Sequence, residues 1–238
     1  MQATVEGMVG ITGTNARPSV APTFGVENML GTNPLVFGMP TDEAFPFVTD
    51  YATSLSQRGK IEVYARLKKP MPAGWVVDQQ GQSVTDAGVA IDGLNKGLCA
   101  LTPLGGIGEE SAGYKGYGYA TVVEILSAAL QGGAFLNMLS GLSGGKKAPY
   151  ALGHFFIAID VKAFTELKDF KTTTGEILRK LRASKKAPGA ARIYTAGEKE
   201  YLVWLERKDK GAPIDEALRK ELQIMKRELG LQGYDFIG

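Results

Sequence analysis

Residues 12–40 read TGTNARPSVAPTFGVENMLGTNPLVFGMP, and they constrain this chain more than any other segment. They hold two Thr-Asn steps, four prolines and four glycines, set between short apolar runs. Proline fixes φ and removes a backbone donor, whereas glycine reaches angles closed to other residues. Asn33 precedes Pro34, which pushes its backbone toward extended geometry and away from helix. The segment therefore uses its residues on backbone shape and builds two loops rather than one long element. Two readings follow from the residues alone: the wall of a binding site, or a surface Ω-loop at a structural crossover.

At 238 residues the chain suits one large domain or two small ones. Its 27 basic and 25 acidic residues leave a net charge of +2, with no basic field for nucleic acid and no acidic tail. The local excess at 179–186, with Arg192 beyond it, reads as a solvated helix face, with a phosphate-binding patch as the alternative. Cys99 is the sole cysteine and His154 the sole histidine, so no disulfide framework and no Cys- or His-rich metal site is expected. No apolar run approaches the ~20 residues that cross a membrane, and the first residues lack the basic-then-apolar pattern of a leader, so the expected location is cytoplasmic.

Strands are expected at 9–14, 35–39 and 45–50 from alternation and turn signals. Thr53 or Ser54 is expected to cap a helix carrying Leu55, Ile61 and Leu67, which Pro70, Pro72 and Gly74 end. Residues 78–92 are polar and turn-rich and read as a surface excursion. Residues 117–131 predict a helix with almost no polar face, hence buried, stopped by Gly132-Gly133. The apolar run 155–159 predicts an interior strand. An amphipathic helix at 174–183, a short strand at 192–195, a turn at Gly197-Glu198 and a helix at 215–229 complete the reading. Short strands outnumber helices without alternating regularly with them. That order predicts an α+β fold, a mainly antiparallel or mixed sheet flanked by helices. The expected division is an α+β domain at 1–210 and a C-terminal helical segment at 211–238.

The usual nucleotide and hydrolase signatures are absent. No G-x-x-x-x-G-K-[ST] loop and no G-x-S-x-G elbow occurs. Gly113-Tyr-Lys-Gly116-Tyr-Gly118 opens the expected helix, but its spacing is not G-x-G-x-x-G and no apolar strand precedes it. What it offers is Lys115 at a helix N-terminus, where dipole and ammonium together favour an anion. The alternative is a surface lysine flanked by glycines that serve close packing.

Several ordered segments carry a resemblance. Thr14-Asn15-Ala16-Arg17-Pro18, Gly31-Thr32-Asn33-Pro34, Phe47-Val-Thr-Asp50-Tyr-Ala-Thr-Ser54 and Arg58-Gly-Lys-Ile-Glu-Val63 come first. Pro103-Leu-Gly-Gly106, the 113–118 glycine loop, Gly153-His-Phe-Phe-Ile-Ala-Ile-Asp160 and Ala196-Gly-Glu198 follow in register. Together they resemble the malate/L-lactate dehydrogenase family that lacks a Rossmann fold, which also contains ureidoglycolate, sulfolactate, diketogulonate and cyclic-imine-acid enzymes. The resemblance implies an oxidoreductase using NAD or NADP to interconvert small 2-hydroxy and 2-oxo acids, held on a non-Rossmann dinucleotide-binding sheet, in a homodimer. It implies cofactor contacts from Pro46, Phe47, Val48, Thr49, Asp50, Tyr51 and Ala52, from Tyr114 and Lys115, and from Gly197, Glu198 and Lys199. Thr32 would stand near the reacting carbon as the catalytic candidate, and Asn33 would meet substrate.

In that family the acid/base histidines lie in Ser-His-Gly and Asn-His-Phe-Gly segments upstream of everything matched here. Met1-Gln-Ala-Thr-Val-Glu-Gly-Met8 reads like the interior of a helix before the first strand. The expectation is therefore a C-terminal portion, with the remainder lost to truncation or supplied as a separate chain. The alternative is a non-catalytic cofactor-binding fragment or remnant. His154 opens an apolar strand and is expected to be structural. Tyr114 or Lys115 would be the other proton donors on offer. A portion lacking its start is also expected to expose the apolar stripe Leu218, Leu222 and Met225.

Overall fold

β1 (Met8–Thr14) is the strand on which the sheet is assembled, and its glycines are placed where neighbours need room. A Cβ on Gly13 would stand 2.6 Å from the Phe155 ring, so the strand accepts that ring only as glycine. The computed structural model describes residues 1–234. A single turn, α1 (Gln2–Val5), precedes β1, and β2 (Leu35–Met39) and β3 (Phe47–Tyr51) follow it. Next come α2 (Arg58–Arg66), β4 (Val76–Asp78), α3 (Ala87–Lys96) and β5 (Cys99–Leu101). α4 (Gly113–Ala128), a hairpin of β6 (Leu142–Ser143) and β7 (Lys146–Lys147), β8 (His154–Asp160) and α5 (Leu167–Ala183) complete the first unit.

The main sheet has the order β3-β2-β1-β8 with every pair antiparallel. It is an α+β arrangement, with two small antiparallel pairs, β4-β5 and β6-β7, beside the main sheet. α4 packs on the sheet through Val123, which meets Leu35 and Phe155 with Ile11 and Phe37 around them. A second cluster gathers Val20, Leu30, Ile61, Trp75, Val76, Ala90 and Leu101 under the loops. The loop residues Val20 and Leu30 bridge one another, and Ala21 N donates to Leu101 O at 3.0 Å, so the proline-rich segment is tied to β5.

The chain divides into two compact units, the first Met1–Gly197 and the second beginning at Glu198, earlier than the boundary expected after residue 210. The second unit carries α6 (Glu198–Arg207) and α7 (Glu216–Glu228). Asp215 caps α7 by accepting from Leu218 N at 2.8 Å, and Leu218 and Met225 are exposed. The expected segment 211–238 ends in residues outside those described.

Several expectations are corrected. Residues 87–96 are not a loop but α3, capped by the Asp86 carboxylate at Val89 N (2.9 Å) and ended by Gly97 in the left-handed region. Its buried face is Ala87, Ala90 and Gly93, small residues that let it lie on Cys99, and small-residue faces carry a weak periodic signal. Burial pushes the Cys99 thiol pKa up and disfavours thiolate chemistry there. α2 is entered from Gln57, because the Thr53 hydroxyl is engaged by Thr32 O and Asn33 O and the Ser54 hydroxyl by Ser56 O.

α4 starts at Gly113, one turn earlier than expected, and is not buried all round: Tyr117, Val122 and Ile125 are exposed. Its inner face is instead Gly113, Gly116, Ala120, Val123, Glu124 and Ser127, chosen for close approach rather than hydrophobicity. β8 is an edge strand, not an interior one, with Phe155 buried and Phe156, Ile157 and Ile159 exposed. A continuous apolar run shows that both faces are apolar, not that both are covered. The expected strand at 192–195 is absent, and α5 begins seven residues before the expected 174.

A candidate active-site cleft between the two Thr-Asn loops

β1 ends at Thr14 and β2 begins at Leu35, so each Thr-Asn step sits at a strand terminus on the same end of the sheet. The two asparagines, both with 0% exposure, point inward and make matching contacts. Asn15 accepts from Gly153 N at 2.9 Å and donates to Ala134 O at 3.2 Å and Glu124 Oε1 at 3.4 Å. Asn33 accepts from Ala16 N at 3.1 Å and donates to Ala120 O at 3.0 Å and Glu124 Oε2 at 2.8 Å. Leu136 N adds a third donor to Glu124, at 2.9 Å from Oε1.

These bonds hold Asn33 at φ 33, in the left-handed region and not the extended geometry expected before Pro34. Asparagine is among the few residues that enter this region, and the cost of about 1–3 kcal/mol is offset by a fully bonded carboxamide. The expectation that the Asn33 side chain meets substrate is corrected by the same geometry. All of its polar positions face protein, so it shapes the loop and leaves Thr32 to face the cleft.

The cleft encloses about 540 Å³, within the ordinary range for small-molecule sites. Ala16, Arg17, Pro18 and Ser19 of the first loop form one side, and Thr32 and Pro34 of the second form another. Ala52, just past β3, and Gln57 and Arg58, at the start of α2, close it with Asn28 and Asn95. Two guanidinium groups therefore border one cavity with hydroxyl and carboxamide groups between them. Arg58 shares its charge with Glu62 at 2.9 Å. Arg17 is exposed and has no ion-pair partner among the described residues.

Of the residues singled out from sequence, Thr32 and Ala52 line this cleft. Phe47, Val48, Thr49, Asp50 and Tyr51 form β3, where the Thr49 hydroxyl accepts from Phe37 N at 3.2 Å. Gly197 lies against this strand: a Cβ there would stand 3.0 Å from Pro46 O and 3.3 Å from Val48 N. Glu198 and Lys199 open α6, in the second unit. Tyr114 and Lys115 are exposed in the first turn of α4 and do not line the cleft. The glycines flanking them press helix onto loop, Gly113 against Gly106 O and Gly116 against the Leu104 backbone.

His154 exposes its side chain, while its carbonyl accepts from Gln131 Nε2 at 2.7 Å. In the basic run, Arg179 and Arg182 reach back to the acids after β2. Arg179 Nη1 stands 2.9 Å from Asp42, and Arg182 pairs with Glu43. The hydrogen-bonded Arg179 guanidinium holds the Asp42 carboxyl below the usual carboxylate range.

Sequence reasoning missed Arg17, Arg58 and Glu124 as individual site residues. The available signal for Glu124 was a lone acid in an otherwise apolar helix. Glu124 also floors a second cavity of about 590 Å³, lined by Pro22, Met29, Tyr117, Ile125 and Phe135. That groove is mainly apolar and no cation lines it, whereas two guanidinium groups line the first cleft. Among the described residues no group of three His, Cys, Asp or Glu could hold a metal ion, and no helix is long and apolar enough to cross a membrane.

The profile of the malate/L-lactate dehydrogenase family matches residues 1–223. The chain belongs to the malate/L-lactate dehydrogenase family. A malate dehydrogenase of Pyrococcus horikoshii is 38% identical over 233 residues, covering 98% of this chain and 62% of the relative. The L-sulfolactate dehydrogenase of Methanocaldococcus jannaschii is 36% identical, again over 98% of this chain and 62% of the relative. The crystal structure of malate dehydrogenase from Entamoeba histolytica superposes with a TM-score of 0.90 at 42% identity, over 98% of this chain and 64% of that one. The chain thus spans about 62% of the length of the curated family members it matches. The glycine run 113–118 fits no Rossmann fingerprint, and the main sheet of this chain is antiparallel.

Proposed function

We propose that this chain forms the cofactor and substrate wall of an oxidoreductase that uses NAD or NADP to interconvert a small 2-hydroxy acid and its 2-oxo acid. The observation that carries the reading is the cleft in which Thr32 and Ala52 meet the guanidinium groups of Arg17 and Arg58. Its residues fit an anionic, hydroxyl-rich ligand. Arginine binds carboxylate or phosphate bidentately, and hydroxyl and carboxamide groups such as Ser19 and Asn95 suit ribose or substrate hydroxyls. When bound, the nicotinamide supplies or accepts the hydride. Arg17 and Arg58 hold the anionic groups, Thr32 orients the reacting end, and Pro18, Pro34 and Leu101 exclude water on the apolar side.

Two of the relatives act, by name, on malate and sulfolactate, acids bearing a second anionic group, and two guanidinium groups are suited to that class. Reducing a carbonyl also needs a proton donor within hydrogen-bond reach of the developing alkoxide. No histidine or carboxylic acid lines this cleft among the described residues. We propose that the acid/base group lies outside this cleft, in the part of the relatives' length that this chain does not span, and, separately, that the assembled enzyme is a homodimer. Tyr114, Lys115, Glu198 and Lys199 are proposed as further cofactor contacts in that assembly.

The test is titration of NADH and NADPH fluorescence with this chain, followed by turnover of oxaloacetate, pyruvate and a sulfonated 2-oxo acid. Saturable binding of one coenzyme is expected, with turnover only when the remaining part of the protein is supplied. Absence of binding for both coenzymes would sink the reading.

A further inference from the structure

Glu124 is the single acidic residue of α4 and is 6% exposed, yet no cation pairs with it among the described residues. A buried carboxylate is retained only where hydrogen bonds replace its water. Here the donors are the Asn15 and Asn33 carboxamides, one at each carboxylate oxygen, and the Leu136 amide. Asn15 belongs to the loop that carries Arg17, and Asn33 adjoins Thr32 in the other. We infer that Glu124 is a positioning residue: its carboxylate is the common acceptor that sets the spacing of the two Thr-Asn loops, and so places Thr32 and Arg17 across the cleft.

Backbone bonds between Ser19, Val20 and Met29, Leu30 join the loops at their far ends, and beside the Thr-Asn steps the direct tie is the Ala16 N bond to Asn33 Oδ1. That tie depends on the orientation of the Asn33 carboxamide, which the bond to Glu124 fixes from the opposite end. An acceptor is needed at both oxygens. A glutamine in place of Glu124 keeps the shape but sets its NH2 against either the Asn33 NH2 or the Asn15 and Leu136 donors. One loop must then turn away to avoid a donor facing a donor.

The experiment compares wild type with Glu124→Gln in the full chain, well below the unfolding temperature of each. Amide hydrogen exchange is read at Ala16, which ties the loops, at Thr53, which holds Thr32 O, and at Ile11 and Phe37 in the sheet. Titration with NADH and NADPH follows, and this arm rests on the proposed function. The expected result is at least about tenfold faster exchange at Ala16 with Ile11 and Phe37 unchanged, and about tenfold weaker coenzyme binding. Unchanged exchange at Ala16, or altered exchange with unchanged coenzyme affinity, overturns the positioning role. If wild type itself binds neither coenzyme while exchange responds as expected, the proposed function fails and the loop spacing role stands. If Glu124→Gln does not fold, Asn15→Ser removes one of the Glu124 donors, together with the Asn15 bonds to Ala134 and Gly153, and is held to the same two readings.

Discussion

Gly31 lies so close to Ala16 that a Cβ at position 31 would stand 2.6 Å from the Ala16 carbonyl carbon. The second Thr-Asn loop is thus pressed backbone to backbone on the first, and glycine is required by space rather than by φ. Gly31→Ala forces the loops apart. It is expected to destabilise the chain by about 1–3 kcal/mol, as overpacking does, read as a fall in the urea midpoint. An unchanged midpoint would show that the loops separate freely.

Asn33 offers a cleaner separation of backbone from side chain. Asn33→Ala strands the buried Glu124 Oε2 and Ala120 O, whose lost partners cost about 1–3 kcal/mol each, and the half-buried Ala16 N, and it also places a Cβ-bearing residue without local bonding at φ 33. Asn33→Gly relieves the backbone while leaving the same groups stranded. Both variants are expected to lose most of the loop's stability in chemical denaturation, with glycine the milder by about 1 kcal/mol. Full recovery with glycine would make backbone angle the dominant effect.

Arg17 makes no ion pair within the described residues, so removing it should leave folding within about 0.5 kcal/mol of wild type. Its proposed contact is with a ligand anion, where a charge-assisted bond contributes about 1.5–3 kcal/mol. Arg17→Ala is therefore expected to weaken coenzyme or 2-oxo diacid binding about 10- to 100-fold in calorimetry at an unchanged melting temperature. Lys115→Ala run in parallel discriminates the two anion sites. Loss with Lys115→Ala and none with Arg17→Ala would move the anion from the cleft to the first turn of α4.

The Asp42–Arg179 pair gives a pH dependence of definite sign. The folded pKa of Asp42 is depressed, so its contribution is complete above the unfolded value of about 3.9 and disappears as the pH falls through the folded value. Asp42→Asn should lower the urea midpoint at neutral pH, modestly because the pair is exposed, and the gap to wild type should close as the pH drops below about 4. A gap that stays constant through that range would assign the effect to packing near Gly175 instead.

Alternation and turn chemistry were enough to find β1, β2 and the body of β3, and the antiparallel α+β class followed from their order. α3 escaped because its buried face is alanine and glycine, which carry little hydrophobic period. The exposure of Phe156 and Ile157 escaped because covering a strand is a property of its neighbours, not of its residues. At the site, the Thr-Asn repetition was legible as two shaped loops, but the direction of the asparagines was not. Asn33 reads as a ligand-facing amide until Glu124, a helix away, is known to lie behind it. Thr32 and Ala52 were reached through family resemblance, whereas Arg17 needed the cavity to be seen.

The partners that join the two loops are far apart along the chain, 109 positions from Asn15 to Glu124 and 91 from Asn33. Each loop can take up its local turns early, and the Val20–Leu30 pairing is local too, yet the bonds to Glu124 need a closure of that length, among the slower events in folding. A nascent chain that has emerged only as far as α3 carries both loops complete in sequence, without the carboxylate that their two asparagines share.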